Sequence, residues 1–338
     1  MSRKIGILTA GGDCPGLNAV IRGVAKASYH TMKDVEFVGI QDGFSGLINN
    51  TYKELKQENF SGILTLGGTI LGTSRTPFKL MQVVEEDNVD KLQNMKDSYK
   101  KMGLDCLLVL GGNGSHKTAA LLADEGLNVI GLPKTIDNDI YGTEVTFGFH
   151  SAVDIATDCI DRLHTTASSH GRCIVMEVMG NKAGWLTLYA GIAGGADVII
   201  LPEIPYDMDS IIYKVTERAQ RDKPFSILAV AEGAMTSDEA NMKKKDREKT
   251  RLETGNATLK IAKAIEQSTG IEARACIPGH IQRGGAPSAY DRVLSTRFGA
   301  YAAELIKKEK YGVSVALVDN IVKANPLSEI AGKSKLVP

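Results

Sequence analysis

Short apolar runs alternate with longer segments of helical periodicity along nearly the whole sequence, and this alternation limits the fold more than any other feature. The apolar runs span residues 4–9, 36–40, 106–110, 128–132, 173–178, 198–201, 226–230, 273–277 and 313–318. The helical segments span residues 17–28, 91–102, 115–124, 151–166, 183–193, 209–219, 251–268 and 290–308. Strands that are apolar throughout and separated by helices are typical of parallel sheets covered on both faces. The pattern therefore predicts an α/β fold.

The chain length and the charge balance narrow the class of protein further. At 338 residues, the chain is long enough for about two domains of ordinary size. It carries 40 Lys and Arg against 40 Asp and Glu, so no overall positive field favours nucleic acid or an anionic membrane. The apolar runs are all shorter than the ~20 residues of a membrane-spanning helix. We therefore expect no nucleic acid and no membrane as partners.

Cysteine usage indicates a reducing compartment. The cysteines, at positions 14, 106, 159, 173 and 276, contain no CxxC pair. An odd number of cysteines without metal-ligand spacing favours neither a disulfide framework nor a zinc site. The short apolar run 5–8 leads closely into a glycine turn, so it resembles a buried strand rather than a signal peptide. We therefore expect a cytoplasmic location.

Glycine-rich loops follow several of the predicted strands. They begin at Gly11, Gly67, Gly111 and Gly194. Glycines at the carboxyl ends of parallel strands let phosphate oxygens approach the backbone N–H groups of a helix N-terminus. A single glycine-rich loop is as typical of a plain tight turn as of a phosphate site. The occurrence of several such loops in one chain predicts a polyphosphate site. The patterns GxGxxG and GxxxxGK[ST] do not occur, which disfavours a Rossmann dehydrogenase and a P-loop NTPase.

The loop 133–139, with the sequence PKTIDND, concentrates a lysine, a hydroxyl and two carboxylates directly after a predicted strand. In an extended chain, Asp137 and Asp139 would have their side chains on one face. One carboxylate can then accept a hydroxyl proton while the other holds Mg²⁺, as phosphoryl transfer requires. An acidic turn with Asx hydrogen bonds accounts for these residues equally well. The neighbouring glycine loops favour the catalytic interpretation.

Motifs spread over nearly the whole sequence resemble those of the 6-phosphofructokinases. They are GILTAGGDCPGLN from residue 6, GTSR at 72–75, GGNGS at 111–115, PKTIDND at 133–139, MEVMG at 176–180 and PGHIQRGG at 278–285. NAD kinases and lipid kinases carry a glycine loop similar to GGNGS, whereas PKTIDND together with GHIQRGG is far more specific. The resemblance implies two three-layer α/β/α domains with parallel sheets. Residues 1–139 plus the C-terminal part of the chain would bind the phosphoryl donor, and residues 140–310, approximately, would bind a sugar phosphate.

The resemblance also implies an activity, which is phosphoryl transfer from ATP to the 1-hydroxyl of fructose 6-phosphate with Mg²⁺ as cofactor. The implied catalytic residues are Asp137, Arg75, Thr135 and Asp139, with Asp137 as the base. The implied donor site comprises Gly11, Gly12, Arg75, Gly111, Gly112, Asn113, Gly114, Ser115 and Lys134. The implied sugar-phosphate site comprises Thr135, Asp137, Arg172, Met179, Gly180, Glu232, Arg274, His280 and Arg283. The implied metal ligands are Asn113 and Asp139.

Other positions bear on the donor and on assembly. In the family, an aspartate at the place of Gly114 blocks the α-phosphate site and accompanies pyrophosphate use, so the glycine favours ATP. Lys134 is typical of pyrophosphate-dependent members, which keeps a pyrophosphate-dependent enzyme as the alternative. Arg172 and Arg274 match residues that reach into a neighbouring subunit's site. The resemblance thus implies a homodimer or homotetramer.

Asn113 departs from the family pattern, which has an aspartate that binds Mg²⁺ at this position. A neutral amide is a poorer ligand for a hard cation than a carboxylate. This departure motivates a further alternative, a catalytically impaired sugar-phosphate-binding regulatory subunit. The presence of Asp137, Asp139 and Arg75 argues against that alternative, because a protein that only binds has little use for all of them.

Overall fold

The structure is a computed structural model that describes residues 3–82, 90–221 and 225–338. The chain divides into two compact units, of which the first comprises Met1–Ser151 and Arg283–Lys335 and the second comprises Ala152–Gln282 and Leu336–Pro338. The strands are β1 (Arg3–Ala10), β2 (Val35–Ile40), β3 (Tyr52–Leu55), β4 (Cys106–Gly111), β5 (Val129–Pro133), β6 (Cys173–Val178), β7 (Val198–Ile200), β8 (Ser226–Ala231), β9 (Ala273–Cys276), β10 (Val313–Val318) and β11 (Ile321–Pro326).

The helices fall between these strands in most of the chain. They are α1 (Leu17–Thr31), α2 (Phe44–Asn49), α3 (Lys91–Lys101), α4 (Asn113–Asp124), α5 (Phe149–His170), α6 (Trp185–Ala193), α7 (Met208–Gln220), α8 (Ser237–Asn241), α9 (Lys244–Thr254), α10 (Ala257–Thr269), α11 (Ala289–Lys307) and α12 (Leu327–Ile330). Short 3₁₀ turns occur at Gln57–Phe60, Ile63–Thr65, Phe78–Leu80 and Gly279–Arg283. In the described part of the chain, none of the helices has the length and apolar character of a membrane span.

The first unit contains a seven-stranded sheet in the order β11-β10-β5-β4-β1-β2-β3. Its inner strands are parallel, and the edge strands β3 and β11 are antiparallel to their neighbours. On one face, Leu8, Leu107 and Val129 pack in a core with residues of α2, α3, α4 and α12. The register pairs Ala10 with Gly111, and it pairs Gly111 with Pro133. The loops that follow β1, β4 and β5 therefore leave the sheet side by side.

The second unit contains a four-stranded parallel sheet in the order β7-β8-β6-β9. Val175 and Leu228 pack in a core with Ile211 and Val215 of α7 and with Ile261 of α10. Each unit is thus built around its own sheet with parallel inner strands. The α/β fold class expected from the sequence is confirmed.

Secondary structure differs from the expectation in the polar parts of the sequence. The edge strands β3 and β11 were not predicted, because both carry polar residues and are largely exposed. The predicted helix 251–268 is wrong at its start: α9 ends at Thr254, and α10 begins afresh at Ala257. Asn256 separates the two helices, since its side chain accepts a hydrogen bond from the backbone N–H of Leu259 and caps α10.

Candidate active site

A cavity of about 430 Å³ opens in the first unit, where the loops that follow β1, β4 and β5 meet. The predicted catalytic and donor residues that line it are Gly11, Gly12, Arg75, Gly112, Asn113, Gly114, Ser115, Lys134, Thr135, Asp137 and Asp139. Gly111 is not among the lining residues. A Cβ atom on Gly111 would lie 2.2 Å from the Cβ atom of Ser115, so this glycine allows the loop to fold tightly against the start of α4.

Positive charge gathers around Gly12. A Cβ atom on Gly12 would lie 2.9 Å from Nη1 of Arg283 and 3.4 Å from Nη2 of Arg75. The Nζ atom of Lys134 donates a hydrogen bond of 2.5 Å to the carbonyl of Gly12. Arg283 was predicted for the sugar-phosphate site, and the structure places it in this cavity with the donor-site residues. Two guanidinium groups and one ammonium group thus surround a single glycine, an arrangement suited to phosphate.

Lys134 joins the loops together. The residue is only 4 % exposed, and its backbone N–H donates to the carbonyl of Gly111 over 3.1 Å. Burial lowers the pKa of the Lys134 ammonium, while the carboxylates of Asp137 and Asp139 oppose this shift. A buried ammonium that faces an open cavity gains most from an anionic ligand, because the ligand restores the charge compensation that water would provide.

The first turn of α4 supplies backbone donors to the cavity. The first four N–H groups of a helix have no partner within the helix, and the residues Asn113, Gly114 and Ser115 that begin α4 line the cavity. His116, which is 1 % exposed, lies 3.0 Å from the carbonyl of Gly112 through Nδ1 and 2.9 Å from the hydroxyl of Ser314 through Nε2.

Burial lowers the pKa of His116 to about 4, so the ring is neutral near pH 7. A carbonyl only accepts hydrogen bonds, so Nδ1 carries the proton and donates to Gly112. His116 therefore fixes the glycine loop onto β10. Sequence reasoning missed this residue, although it follows the GGNGS motif directly.

A tight turn presents the two carboxylates. Asn138 has a left-handed backbone with φ of 51°, and its Oδ1 accepts from the backbone N–H of Thr146 over 3.0 Å. The backbone N–H of Asp137 donates to Oγ1 of Thr135 over 3.1 Å. The expectation of an extended chain here was wrong. Asp137 and Asp139 nevertheless both line the cavity, because the turn at Asn138 brings its two neighbours to the same opening.

The cavity also contains the kind of ligands that a magnesium ion requires. Asp137, Asp139 and Asn113 offer oxygen atoms, which Mg²⁺ prefers. The Oδ1 atom of Asn113 is buried and has no hydrogen-bond partner among the described residues. Within residues 3–82, 90–221 and 225–338, no cluster of three His, Cys, Asp or Glu side chains forms a complete metal cage. The residues present therefore fit an ion that shares its coordination with phosphate oxygens and water.

In the second unit, hydrogen bonds gather three predicted sugar-phosphate residues at the carboxyl ends of β6 and β8. The backbone N–H of Glu232 donates to Val178 over 2.8 Å, and that of Gly233 donates to Gly180 over 3.3 Å. The backbone N–H of Met179 donates to Oε1 of Gln282 over 3.0 Å.

Two further residues of the second unit support these positions, and sequence reasoning missed both. Gln282 is fully buried, and it lies in the same 3₁₀ turn as the exposed His280. Arg251 reaches from α9 to the loop after β8, where its guanidinium donates to the carbonyls of Glu232 over 3.3 Å and Ala234 over 2.6 Å. The position of Gln282 within the motif GHIQRGG was a sequence signal that could have identified it. Arg251 had no such signal, because it lies in a charged run that is typical of a solvated surface.

The remaining predicted residues lie elsewhere in the second unit. Arg172 directly precedes β6, and Arg274 lies on β9 opposite Ile174 near the start of β6. Both arginines pair with Glu272, through contacts of 2.6 Å and 2.5 Å. Met179 follows the other end of β6, roughly 20 Å away along an extended strand. The second unit therefore does not bring these arginines together with Met179 and Glu232.

Comparisons with known proteins agree with the motifs. The family model described as phosphofructokinase matches residues 4–306. An ATP-dependent 6-phosphofructokinase of Spirochaeta thermophila is 56% identical over 344 residues, which cover 100% of this chain and 93% of that protein. The ATP-dependent 6-phosphofructokinase 3 of Bacteroides thetaiotaomicron is 50% identical over 99% of this chain and 94% of its own length. The crystal structure of Pichia pastoris phosphofructokinase in the T-state matches with a TM-score of 0.81 and 32% identity, over 98% of this chain and 35% of that longer chain.

Proposed function

The chain belongs to the phosphofructokinase family, and from this premise we propose how its residues transfer the phosphoryl group of ATP to fructose 6-phosphate. The enzyme is an ATP-dependent 6-phosphofructokinase of glycolysis, and its product is fructose 1,6-bisphosphate. The observation that carries the proposal is the cavity of the first unit, which combines two arginines, a buried lysine and two aspartates.

Stabilisation of phosphate charge is the first task of such a site. In phosphoryl transfer, most of the catalysis comes from positioning and from neutralising the charge on the transferred group. Arg75, Arg283 and Lys134 converge on Gly12, so they hold the transferring phosphate. The N–H groups at the start of α4 hold the rest of the polyphosphate, as helix N-termini do for anions.

Asp137 acts as the base in this proposal. Its carboxylate accepts the proton of the 1-hydroxyl as the new bond from oxygen to phosphorus forms, and the bond from that phosphorus to ADP breaks. Asp139 and Asn113 would hold Mg²⁺, which supplies neutralising charge to the phosphates when it is bound. Thr135 fixes the turn, because its hydroxyl accepts a hydrogen bond from the backbone of Asp137.

For the second unit, we propose that Met179, Gly180, Glu232 and His280 bind the sugar phosphate. Arg172 and Arg274 would serve the site of a neighbouring subunit, which accords with their position at the other end of β6 from Met179. A homodimer or homotetramer in the cytoplasm is the corresponding assembly. The five cysteines are all free thiols, as is usual in a reducing compartment.

The space beside Gly114 supports ATP over pyrophosphate as the donor. Gly114 is exposed at the cavity, and a Cβ atom there would have no described atom within 4 Å. The position that a side chain would fill is therefore open to an α-phosphate.

An assay matrix of ATP or pyrophosphate with fructose 6-phosphate, with and without Mg²⁺, tests the proposed function. We expect turnover with ATP that depends on Mg²⁺ and at most weak turnover with pyrophosphate. A preference for pyrophosphate would make Lys134, rather than Gly114, the determinant of the donor. Binding of fructose 6-phosphate without turnover from either donor would instead identify a regulatory subunit.

A further inference from the structure

The segment 332–335 follows α12 and reaches the candidate donor site. The Nδ2 atom of Asn113 donates to the carbonyl of Lys333 over 2.7 Å and to the hydroxyl of Ser334 over 2.9 Å. These contacts use both protons of the amide group. Because a carbonyl only accepts hydrogen bonds, they also fix which end of the amide faces the segment. The Oδ1 atom must then point away from the segment.

The same segment is fastened to the turn that carries the aspartates. Ser334 forms an antiparallel bridge with Ile140, and the backbone N–H of Lys335 donates to the carbonyl of Asp139 over 2.8 Å. The Nζ atom of Lys335 donates to the carbonyls of residues 143 and 144 over 2.9 Å and 2.7 Å. Three consecutive residues, 333–335, therefore connect the start of α4 with the loop 139–144.

We propose that segment 332–335 is a positioning element for the phosphoryl donor, which orients the amide of Asn113 and fixes its place relative to Asp139. The proposal rests on the proposed function, because it assigns Asn113 and Asp139 to the donor and its metal. The buried Oδ1 atom of Asn113, which has no partner among the described residues, is the atom that the segment directs. Ser334 and Lys335 act through other residues and need not touch the substrate.

This proposal explains why an asparagine, and not an aspartate, occupies position 113. A carboxylate has no proton to donate, so Asn113→Asp would place a negative oxygen against the carbonyl of Lys333. Repulsion would turn the side chain away or displace the segment. Although a carboxylate is the better magnesium ligand in isolation, we expect Asn113→Asp to bind Mg²⁺ and ATP more weakly in this chain.

The test compares Ser334→Ala with Ser334→Thr, which keeps the hydroxyl group. The dissociation constant of ATP is measured by equilibrium dialysis without sugar phosphate, and KM is measured for ATP and for fructose 6-phosphate. Loss of one hydrogen bond should raise both constants for ATP about 3- to 10-fold, while KM for fructose 6-phosphate stays within about twofold. Ser334→Thr should remain close to wild type. Ser61→Ala, at an exposed serine of the same unit, is the matched control and should change nothing.

A double-mutant cycle separates positioning from a general loss of structure. In an Asn113→Ala background, the hydrogen bond from the amide is already absent, so adding Ser334→Ala should not weaken ATP binding further. If the Ser334 substitution has the same effect in both backgrounds, or none in either, segment 332–335 does not act through Asn113.

A second variant, Lys335→Met, removes the bonds to residues 143 and 144 and should speed hydrogen exchange in the peptide that contains residues 139–144. Lys323→Met on β11 is its control. Unchanged exchange in this peptide would contradict the proposed fastening. If the wild-type protein turns over ATP normally and the variants bind and use ATP as the wild type does, the positioning element is wrong and the proposed function stands. A wild-type protein that neither binds nor uses ATP overturns the proposed function and the positioning element with it.

Discussion

Replacing Gly114 by aspartate tests the choice of phosphoryl donor most directly. The site accepts the new side chain, since a Cβ atom at Gly114 would have no described atom within 4 Å and the backbone is not left-handed. The first turn of α4, with the sequence NGSH, contains no acidic residue. A carboxylate near a helix N-terminus stabilises the fold by roughly 0.3–1 kcal/mol. The free energy of unfolding should therefore rise slightly.

The effect on ATP should have the opposite sign. A carboxylate about 5 Å from a phosphate oxygen, in a half-open site with an effective dielectric constant of about 20–40, repels a unit charge by roughly 2–3 kcal/mol. This repulsion lowers kcat/KM for ATP by about 30- to 150-fold. Pyrophosphate has neither a third phosphate nor a nucleoside, so its use should change much less or increase.

The assay compares kcat/KM for both donors in wild type, Gly114→Asp and Gly114→Asn, together with the thermal unfolding midpoint of each protein. The asparagine variant adds the same volume without the charge. If it loses ATP use as strongly as the aspartate variant does, the cause is space and not repulsion. If Gly114→Asp keeps wild-type use of ATP, the reasoning that places the α-phosphate beside this residue is wrong.

The other predictions concern the base, the buried histidine and the assembly. Asp137→Asn should lower kcat by roughly 10²–10⁴ and leave the dissociation constant of fructose 6-phosphate nearly unchanged, and near-normal turnover would contradict the assignment of the base. Burial lowers the pKa of His116 from its ordinary value of 6.5 to about 4. As the pH falls, the imidazole therefore takes up a proton in the unfolded chain before it does so in the folded protein. Stability should then fall by up to ~3 kcal/mol as the pH drops from about 6.5 to about 4, and urea unfolding of His116→Gln should lose most of this dependence unless the ring is not the titrating group. Light scattering should show a dimer or a larger assembly, and Arg274→Ala should raise KM for fructose 6-phosphate roughly 10-fold or more; a fully active monomer would contradict the proposed role of Arg172 and Arg274.

The central strands could be predicted from the sequence because burial on both faces makes them apolar throughout. β4 is an example, since all of its residues are buried. The edge strand β11, with the sequence IVKANP, has no such signature, because it is largely exposed and β10 is the only strand with which it pairs among the described residues. Pairing between distant segments does not require a hydrophobic periodicity in either segment, so the sequence does not predict it.

The same difference between local and long-range contacts decides which parts of the candidate site could be predicted from the sequence. The glycine loops at Gly11 and Gly111 and the motif PKTIDND could be located because each is local and lies at the end of a strand. The prediction of a preceding strand was wrong for the other two glycine loops, because Gly67 follows the 3₁₀ turn Ile63–Thr65 and Gly194 ends α6. Other contacts of the site depend on segments that are far apart in sequence, and no local pattern predicts them. They are the approach of Arg283 to Gly12, the contact of His116 with Ser314 and the hydrogen bond from Asn113 to Ser334. The functional roles of the site residues remain predictions, which the variants above test.

The interruption of the first unit between Ser151 and Arg283 also has a consequence for biosynthesis. β10 joins β5 about 180 residues later in the sequence, and contacts between such distant segments form late because loop closure opposes them. As the ribosome extends the chain, the second unit is almost complete while β5 still presents an open edge, which is a hazard for association between nascent chains. Arg283 is translated last among the residues that line the cavity, and segment 332–335, which contacts Asn113, is translated later still. The growing polypeptide therefore completes the candidate donor site only after residues 152–282 of the second unit have been translated.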